Sequence, residues 1–195
     1  MGINESVTKN IWIGLRFGIG FLVLCGGLYT AVITFVGEQL FPHQARGSVI
    51  VHDGQAVGST LVAQAFADPR YFYARPSAAG YDPTATGGSN LAPSNPELRV
   101  QARARSEQIQ SKEQVIAAAI PVELIAASGA GLDPHISPDA ALFQAERVAA
   151  QRNLTNESVT ALIAQYTEKK QFGVFGQARV NVLKLNLALD QMKDK

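Results

Sequence analysis

Residues 17–36 read FGIGFLVLCGGLYTAVITFV and contain no charged side chain. In an α-helix, these residues would rise about 30 Å, which matches the hydrocarbon core of a bilayer. A cleaved secretory signal has a shorter apolar core, of about 7–15 residues, followed by a small-x-small site, and residues 37–42 (GEQLFP) offer no such site. The run therefore predicts an uncleaved transmembrane helix, which we place at residues 11–36.

The charges around this helix favour one orientation. Lys9 and Arg16 lie at its start, and Arg46 follows its end. Because a large following domain is translocated largely regardless of its charge, the short N-terminal flank matters most. We therefore expect residues 1–10 in the cytoplasm and a single extracytoplasmic domain over residues 37–195.

Small residues recur along the predicted helix. Gly14 and Gly18 form a GxxxG pair, and Gly27 with Ala31 repeats the spacing. Such pairs let a second helix approach closely. Glycine is also frequent in membrane helices generally, so these four residues predict a helix partner without requiring one.

The composition excludes several classes of protein. The 195 residues carry a net charge of +1, which argues against a nucleic-acid partner. One cysteine, Cys25, allows neither an intrachain disulfide nor a cysteine-based zinc site. The three histidines show no close ligand spacing, so we expect no metal site.

The remainder of the chain predicts a small α+β domain. Asp53-Gly54 between apolar runs indicates a β-hairpin over residues 49–58. Helix-start signals occur at Asn95, Ser137 and Thr155, and residues 121–127 favour a short helix. Helix 138–151 is expected to bury the stripe Leu142, Ala145 and Ala149. Residues 181–191 fit either a strand or a helix capped by Asn181.

Residues 67–95 show no period and contain four prolines and four aromatic residues. A structureless loop of this length is uncommon inside a compact domain. Disordered segments are poor in aromatic residues. We therefore predict an ordered, irregular surface that docks against something.

Two glycine-rich segments are candidates for binding an anion. One is Gly87, Gly88, Ser89 and Asn90, and the other contains Ser128, Gly129 and Gly131. Their backbone N–H groups could contact a nucleotide phosphate, although glycine pairs more often mark turns and neither GxxxxGK[ST] nor GxGxxG is present.

A hydrolase would use Ser128 or Ser137 as nucleophile, His135 as base and Asp133 to orient the base. The GxSxG motif is missing, and triad members generally come from separate segments. A turn followed by a helix cap explains the same residues.

Four blocks together resemble one family. ASGAGLDPHISPDAALFQAERVA at residues 127–149 closely resembles the signature of the C subunit of the bacterial Kdp potassium-transporting ATPase. The other blocks lie at residues 58–78 (with GSTL, QAF and YFYARPSA), 89–96 (SNLAPSNP) and 180–189 (VNVLKLNLAL). The departures are small: Glu123, for example, stands where the family usually has Asp.

The resemblance implies a role that the residues alone do not indicate. It implies a non-catalytic, single-pass subunit of the inner membrane, in a complex with a channel-like potassium-binding subunit and a P-type ATPase subunit. It further implies assistance to the pump, described as a catalytic chaperone that raises ATP affinity. No cofactor is expected to bind tightly, and ATP would enter only through a ternary complex with the pump subunit. Within the matched motifs, we expect Arg75, Asn95, Asp133 and His135 to shape the docking domain.

Direct contact with ATP through the glycine-rich segments remains the alternative. An extracytoplasmic domain could not reach cytoplasmic ATP, so its effect on ATP affinity would have to be allosteric.

Overall fold

The computed structural model of the chain describes residues 2–192. It forms two compact units, residues 1–49 and residues 50–195. The first contains the apolar helix, and the second is a small α+β domain with most of the buried side chains. The predicted fold class is confirmed.

The N-terminal unit is a nearly continuous helix. It consists of α1 (Gly2–Phe21), a π-helical segment (Leu22–Tyr29) and α2 (Thr30–Leu40), followed by the short helix α3 (Pro42–Ala45). The stretch Ser6–Leu40 is long and apolar enough to cross a membrane, and its large apolar side chains are exposed. The membrane limits at residues 11 and 36 stay a prediction.

The π-helical segment was not predicted from the sequence. It contains Gly27, and the Thr30 hydroxyl donates to the carbonyl oxygen of Cys25, five residues earlier, at 2.9 Å. Such wide turns often occur at functional sites. They also interrupt the α-helical register between the Gly14/Gly18 pair and Ala31, and both small-residue pairs stay predictions.

The predicted hairpin is present as β1 (Val49–His52) and β2 (Gln55–Ser59). Asp53 and Gly54 at its turn both have positive φ, 49° and 78°. Positive φ at both central residues is the requirement of a type I′ turn, which asparagine, aspartate and glycine tolerate best.

The domain helices begin where the sequence predicts. They are α4 (Pro96–Glu113), α5 (Val122–Ile125), α6 (Pro138–Gln151), α7 (Asn156–Tyr166) and α8 (Val182–Asp190). A side-chain oxygen of the preceding residue accepts a backbone N–H at the start of four of them, from Asn95, Ser137, Thr155 and Asn181.

A three-stranded antiparallel sheet joins distant parts of the domain. Its order is β3 (His135–Ile136), β5 (Arg179–Asn181), β4 (Thr167–Glu168), and Val180 pairs with both Ile136 and Thr167. The ambiguous segment 181–191 therefore becomes a helix that begins directly after a strand, with Asn181 as its cap.

The core lies between α6, α7, α8 and this sheet. Its largest fully buried apolar side chains include Phe72, Ile136, Ile163, Leu185 and Leu189. The predicted stripe of α6 was wrong at one position, because Leu142 is 44% exposed whereas Ala145 and Ala149 are buried. The buried face of α6 runs through residues 140, 141, 144, 145, 148 and 149, and residue 142 lies one helical step outside it.

Candidate functional site

The aperiodic segment 67–95 is held by side chains rather than by a sheet. Residues 69–73, which we call the clamped segment, belong to no strand or helix. Nevertheless, each of their five backbone carbonyl oxygens accepts a hydrogen bond from a side chain of α6 or α8, or of the residue that follows α6. The donors are Arg147 (to Pro69, and to Tyr71 at 3.0 Å), Arg152 (to Arg70, 2.8 Å), Asn186 (to Phe72, 3.0 Å) and Gln144 (to Tyr73, 3.2 Å).

Two of these side chains each bind both the N–H and the C=O of one residue. Asn186 also accepts the Phe72 N–H at 2.9 Å, and Gln144 accepts the Tyr73 N–H at 2.8 Å. Each side-chain amide thus reproduces the paired N–H and C=O bonds of a β-ladder. Both amides are buried, and Phe72 is fully buried, so the bonds form where water does not compete.

Arg147 links the clamped segment to α4 as well as to α6. Its Nε lies 2.7 Å from a carboxylate oxygen of Glu113, and both side chains are only 6% exposed. Its guanidinium also stacks 4.3 Å from the centre of the Tyr73 ring. Burial raises the pKa of Glu113, although the Arg147 hydrogen bond opposes that shift.

Arg152 links the same part of the segment to α8, which ends at Asp190. Its Nη2 lies 2.7 Å from the Asp190 carboxylate, to which the Tyr71 hydroxyl also donates, at 3.0 Å. The guanidinium is 4.8 Å from the centre of the Tyr71 ring. Burial is the main cause of the raised pKa of Tyr71.

Sequence reasoning missed all four of these side chains. A signal was present, because Gln144 falls on the buried stripe of α6 and Asn186 lies inside the apolar run LNLAL. Buried polar groups need hydrogen-bond partners. These two amides therefore indicated that another segment of the chain offers backbone N–H and C=O groups that no strand or helix pairs.

The two glycine-rich segments pack against each other. Gly87 N–H donates to the carbonyl oxygen of Ala130 at 2.9 Å. A Cβ on Gly88 would lie 2.8 Å from the Gly129 carbonyl oxygen, and one on Gly131 would lie 2.7 Å from that of Gly87. Because real Cβ atoms do not approach so closely, glycine is required at both positions. We call this contact the glycine junction.

Several donors that a phosphate would need are already used within the protein. Ser128 N–H donates to the Pro76 carbonyl oxygen at 2.9 Å, and Gly131 N–H donates to that of Ser128 at 3.2 Å. Ser89 and Asn90 follow on the same loop, where Asn90 has a φ of 52°. The two predicted glycine-rich segments are therefore brought together, with the N–H groups of Gly87, Ser128 and Gly131 bound to carbonyl oxygens of the same domain. Nucleotide contact stays a prediction.

Arg75, Asp133 and His135 meet beside the junction. Arg75 Nη1 lies 3.2 Å from one Asp133 carboxylate oxygen, and the other accepts the His135 backbone N–H at 3.0 Å. His135 Nδ1 is 3.6 Å from that same oxygen. The contact with the His135 imidazole lowers the pKa of Asp133 most, and the His135 backbone N–H and the Arg75 charge lower it further.

The serine hydroxyls are placed for structure. Ser137 Oγ donates to the Glu123 carboxylate and accepts the Ala140 N–H at 3.1 Å, while Ser137 N–H also donates to Glu123 at 3.1 Å. Ser128 is buried. The Ser137 hydroxyl thus joins α5 to the start of α6, a geometry that disfavours a nucleophilic role.

One open cleft lies beside the clamped segment. Its volume is about 300 Å³, and its lining includes Tyr73, Tyr81, Arg105 and Lys112. Arg105 donates to the Ile125 carbonyl oxygen at 3.1 Å, and Lys112 lies 4.8 Å from the centre of the Tyr73 ring. Both cations therefore already contribute to the packing of the domain.

Comparison with known families decides the assignment. A family model described as KdpC, the c chain of K⁺-transporting ATPase, matches residues 11–191. The chain belongs to the KdpC family. The resemblance found in the sequence motifs is thereby confirmed, and the chain is a subunit of a potassium-transporting ATPase.

Individual KdpC proteins are similar over almost the whole chain. The KdpC subunit of the potassium-transporting ATPase of Shewanella putrefaciens is 58% identical over 97% of this chain and 96% of its own length. Those of Methylococcus capsulatus and Polaromonas naphthalenivorans are 48% and 50% identical over 88% of this chain, covering 92% and 89% of their own lengths. The predicted membrane span at residues 11–36 and the glycine junction both fall within residues 11–191, which the family model matches.

Proposed function

We propose that this chain is a non-catalytic accessory subunit of a high-affinity, ATP-driven potassium uptake complex. It assists the assembly of that complex, raises the ATP affinity of the pump subunit, or both. The observation that carries the proposal is the use of the domain's polar side chains. Gln144, Arg147, Arg152, Asn186 and Ser137 all bind the protein's own backbone or carboxylates, which builds a firm docking module rather than a reaction site.

The proposed partners are the channel-like potassium-binding subunit and the P-type ATPase subunit. The N-terminal helix would pack on a partner's membrane span, with Gly14, Gly18, Gly27 and Ala31 at the contact. The names of the similar proteins support the complex, and the exposed apolar helix supports the membrane anchor.

The soluble domain is proposed to lie on the extracytoplasmic face of the inner membrane. Its effect on ATP affinity is then allosteric and requires two global states of the pump to which the domain binds differently. Such coupling typically changes an affinity by about 5–150-fold. We therefore expect the KM of the complex for ATP to rise within that range when docking is weakened.

Orientation is tested by chemical labelling in intact cells. Glu107 is exposed on α4, so Glu107→Cys offers an accessible thiol, and the unsubstituted chain with Cys25 is the blank. Labelling of Glu107→Cys by a membrane-impermeant thiol reagent supports the outside location. Labelling only after the membrane is permeabilised contradicts it and makes cytoplasmic ATP reachable.

Direct nucleotide binding is tested separately on the full-length chain in detergent. A photoreactive ATP analogue should label the pump subunit of the complex but not the isolated chain. Labelling of the isolated chain that is lost in Gly88→Ala and kept in Gly129→Ala would favour the nucleotide-binding alternative. The Gly129 substitution is the matched control because a Cβ there meets nothing within 4 Å.

A further inference from the structure

The hairpin between β4 and β5 ends in an ordered but exposed apolar turn. Gln171 and Phe175 exchange two backbone hydrogen bonds, each of 2.9 Å, and Gly173 N–H donates to the Lys170 carbonyl oxygen at 3.1 Å. Despite this ordered backbone, Phe172 is 93% exposed, Val174 is 72% exposed and Phe175 is 65% exposed. We call residues 171–175 the apolar tip.

The exposure is a property of this tip rather than of the domain's aromatic residues in general. The domain has five phenylalanines, and the other three, Phe66, Phe72 and Phe143, are buried or half-buried. Phe172 also has a positive φ of 53°, a conformation that a bulky residue adopts only when its surroundings impose it. Scattered apolar residues on a surface need no explanation, but three adjoining ones held outward by a fixed turn indicate a contact.

The charge next to the tip is positive. Lys169 and Lys170 precede it and are exposed, and residues 169–178 contain no acidic side chain. Glu168, the nearest carboxylate along the chain, already pairs with Arg179 at 3.0 Å and with Lys184 at 3.3 Å. Among the residues that the structure describes, neither lysine forms an ion pair, so the tip presents apolar groups and positive charge together, which complements an anionic surface with an apolar interior.

We propose that the apolar tip, with Lys169 and Lys170, is a second membrane contact of this chain, inserting into the headgroup region of an anionic bilayer. Three apolar side chains on a narrow turn form too small a surface for a stable protein interface, which buries about 800 Å² per partner. A shallow insertion needs no such area. Because the same chain also carries a membrane-spanning helix, the bilayer is present at high effective concentration, and a weak contact suffices.

This inference rests on the membrane anchoring in the proposed function but not on the side of the membrane that the domain occupies. Both faces of a bacterial inner membrane offer anionic headgroups to the same chemistry. The contact would restrict the domain's motion with respect to the bilayer, and so narrow the orientations from which it meets a partner.

The test uses the full-length chain reconstituted into vesicles of phosphatidylcholine, with or without phosphatidylglycerol. Val174→Cys in a Cys25→Ser background carries a polarity-sensitive fluorophore at the tip. In vesicles that contain phosphatidylglycerol, we expect a blue-shifted emission and quenching by a nitroxide attached to the lipid headgroup. Glu107→Cys in the same background is the matched control, and its emission should remain that of an aqueous probe.

Two further variants separate the contribution of the positive charges to lipid contact from that of the apolar side chains. Lys169→Gln with Lys170→Gln should lower the quenching at position 174 to its value in phosphatidylcholine vesicles. Phe172→Ser should lower it in both kinds of vesicle, because less apolar surface then enters the lipid. Neither substitution removes a buried group, so the fold should be retained.

The outcomes that overturn the proposal are distinct from failure of the anchor. Equal aqueous emission from positions 174 and 107 in anionic vesicles overturns it. A second outcome also overturns it. If the fluorophore at position 174 shows a blue-shifted emission only in the assembled complex, and headgroup nitroxides do not quench it, the tip contacts a partner protein and not lipid. A fluorophore on Cys25 of the parent chain reports the anchor. If acyl-chain nitroxides fail to quench it, the membrane anchoring of the proposed function is what has failed.

Discussion

The aperiodic segment 67–95 and the apolar tip at residues 171–175 differ in how backbone regularity and side-chain burial are combined. The first has an irregular backbone and buried side chains, whereas the second has a paired backbone and exposed side chains. The clamped segment has no strand or helix, yet Phe72 is fully buried and every carbonyl from residue 69 to residue 73 is bound by a side chain. The tip has paired backbone hydrogen bonds, yet Phe172 is 93% exposed. Regular backbone pairing is therefore a poor guide to where this domain gains its stability.

The two regions also differ in what their aromatic residues contact. Tyr71 and Tyr73 lie under the guanidinium groups of Arg152 and Arg147, so their faces are covered by cations of the same domain. Phe172 and Phe175 are instead 93% and 65% exposed. We infer that the first pair stabilises the fold and the second pair is available to something outside the chain.

Among the polar side chains that bind the clamped segment, Arg147 is expected to show the largest effect when it is replaced by alanine. The substitution leaves the Glu113 carboxylate buried without its cation and removes the donor to the Pro69 and Tyr71 carbonyl oxygens. Removing one partner of a buried ion pair lowers the free energy of unfolding by about 3–5 kcal/mol. Denaturant unfolding of the full chain in detergent, followed by circular dichroism, measures the change.

The neighbouring, exposed Glu146 provides the control. Glu146→Ala should change the free energy of unfolding by no more than about 0.5 kcal/mol. Equal effects of the two substitutions would show that the clamped segment does not depend on Arg147.

Asn186→Ala tests the clamp at a neutral side chain. It leaves the Phe72 N–H and C=O buried without partners, and each unsatisfied buried group costs about 1–3 kcal/mol. We expect a loss of about 3 kcal/mol by the same unfolding measurement. Gln191→Ala, at an exposed position after α8, is the control, and the expectation fails if both variants unfold at the same denaturant concentration.

A substitution at the glycine junction tests how much the close backbone contact near the far end of the aperiodic segment contributes to stability. Gly131 has a φ of 71°, and a Cβ there would lie 2.7 Å from the Gly87 carbonyl oxygen. Gly131→Ala should therefore lower the free energy of unfolding by about 2 kcal/mol. Gly129→Ala should be close to neutral, and a comparable loss in that variant would mean that general glycine flexibility, not the close approach, matters here.

A smaller effect is expected from the charge of Asp133. Its pKa is lowered in the folded protein, chiefly by the contact with the His135 imidazole and then by the His135 backbone N–H and by Arg75. The ionised carboxylate therefore adds stability above its usual pKa, near 3.9, and that stability is lost as the pH falls below this value. Because Asp133 is about a third exposed, we expect less than about 1 kcal/mol.

The measurement for Asp133 compares the free energies of unfolding of the native chain and of Asp133→Asn as a function of pH. Their difference should be constant near neutrality and shrink on acidification through pH 4 and below. A difference that grows on acidification would reverse the sign of the assigned pKa shift.

The smallest effect on stability is expected at the tip. Phe172→Ser removes a side chain that is 93% exposed, so the free energy of unfolding in detergent should change by no more than about 0.5 kcal/mol. Phe72→Ser is the contrasting variant because Phe72 is fully buried, and we expect it to lose several kcal/mol, at least the roughly 3–5 kcal/mol of a Phe→Ala change. Similar stabilities of the two variants would remove the distinction between the two regions.

The local features of the fold were predictable because their causes lie within a few residues. Asn95, Ser137, Thr155 and Asn181 each bind an N–H two or three residues further on, and the Asp53-Gly54 turn depends on two φ angles. Short-range hydrogen bonds and turn preferences can be read directly from neighbouring letters.

The hydrogen bonds of the clamped segment and the packing of the glycine junction were not predictable in this way. Gln144 lies 71 positions from Tyr73, and Asn186 lies 114 positions from Phe72, and no local preference specifies such a pairing. The sequence motifs did mark these residues as a group, since YFYARPSA, the Gln144 block and the Asn186 block all belong to the resemblance. The π-helical segment was also not predicted, because its wider hydrogen-bonding pattern has no simple signal in the composition.

The clamped segment relates to the rest of the domain as a ligand relates to its receptor. Its backbone is gripped at every carbonyl by groups from residues 144–186, while the chain between it and α4 crosses an exposed stretch at residues 82–86. A protease cut in that stretch would separate two pieces that remain associated without a covalent link. The domain should then survive as a complex of its own fragments, held together in part by the clamped segment of the N-terminal piece.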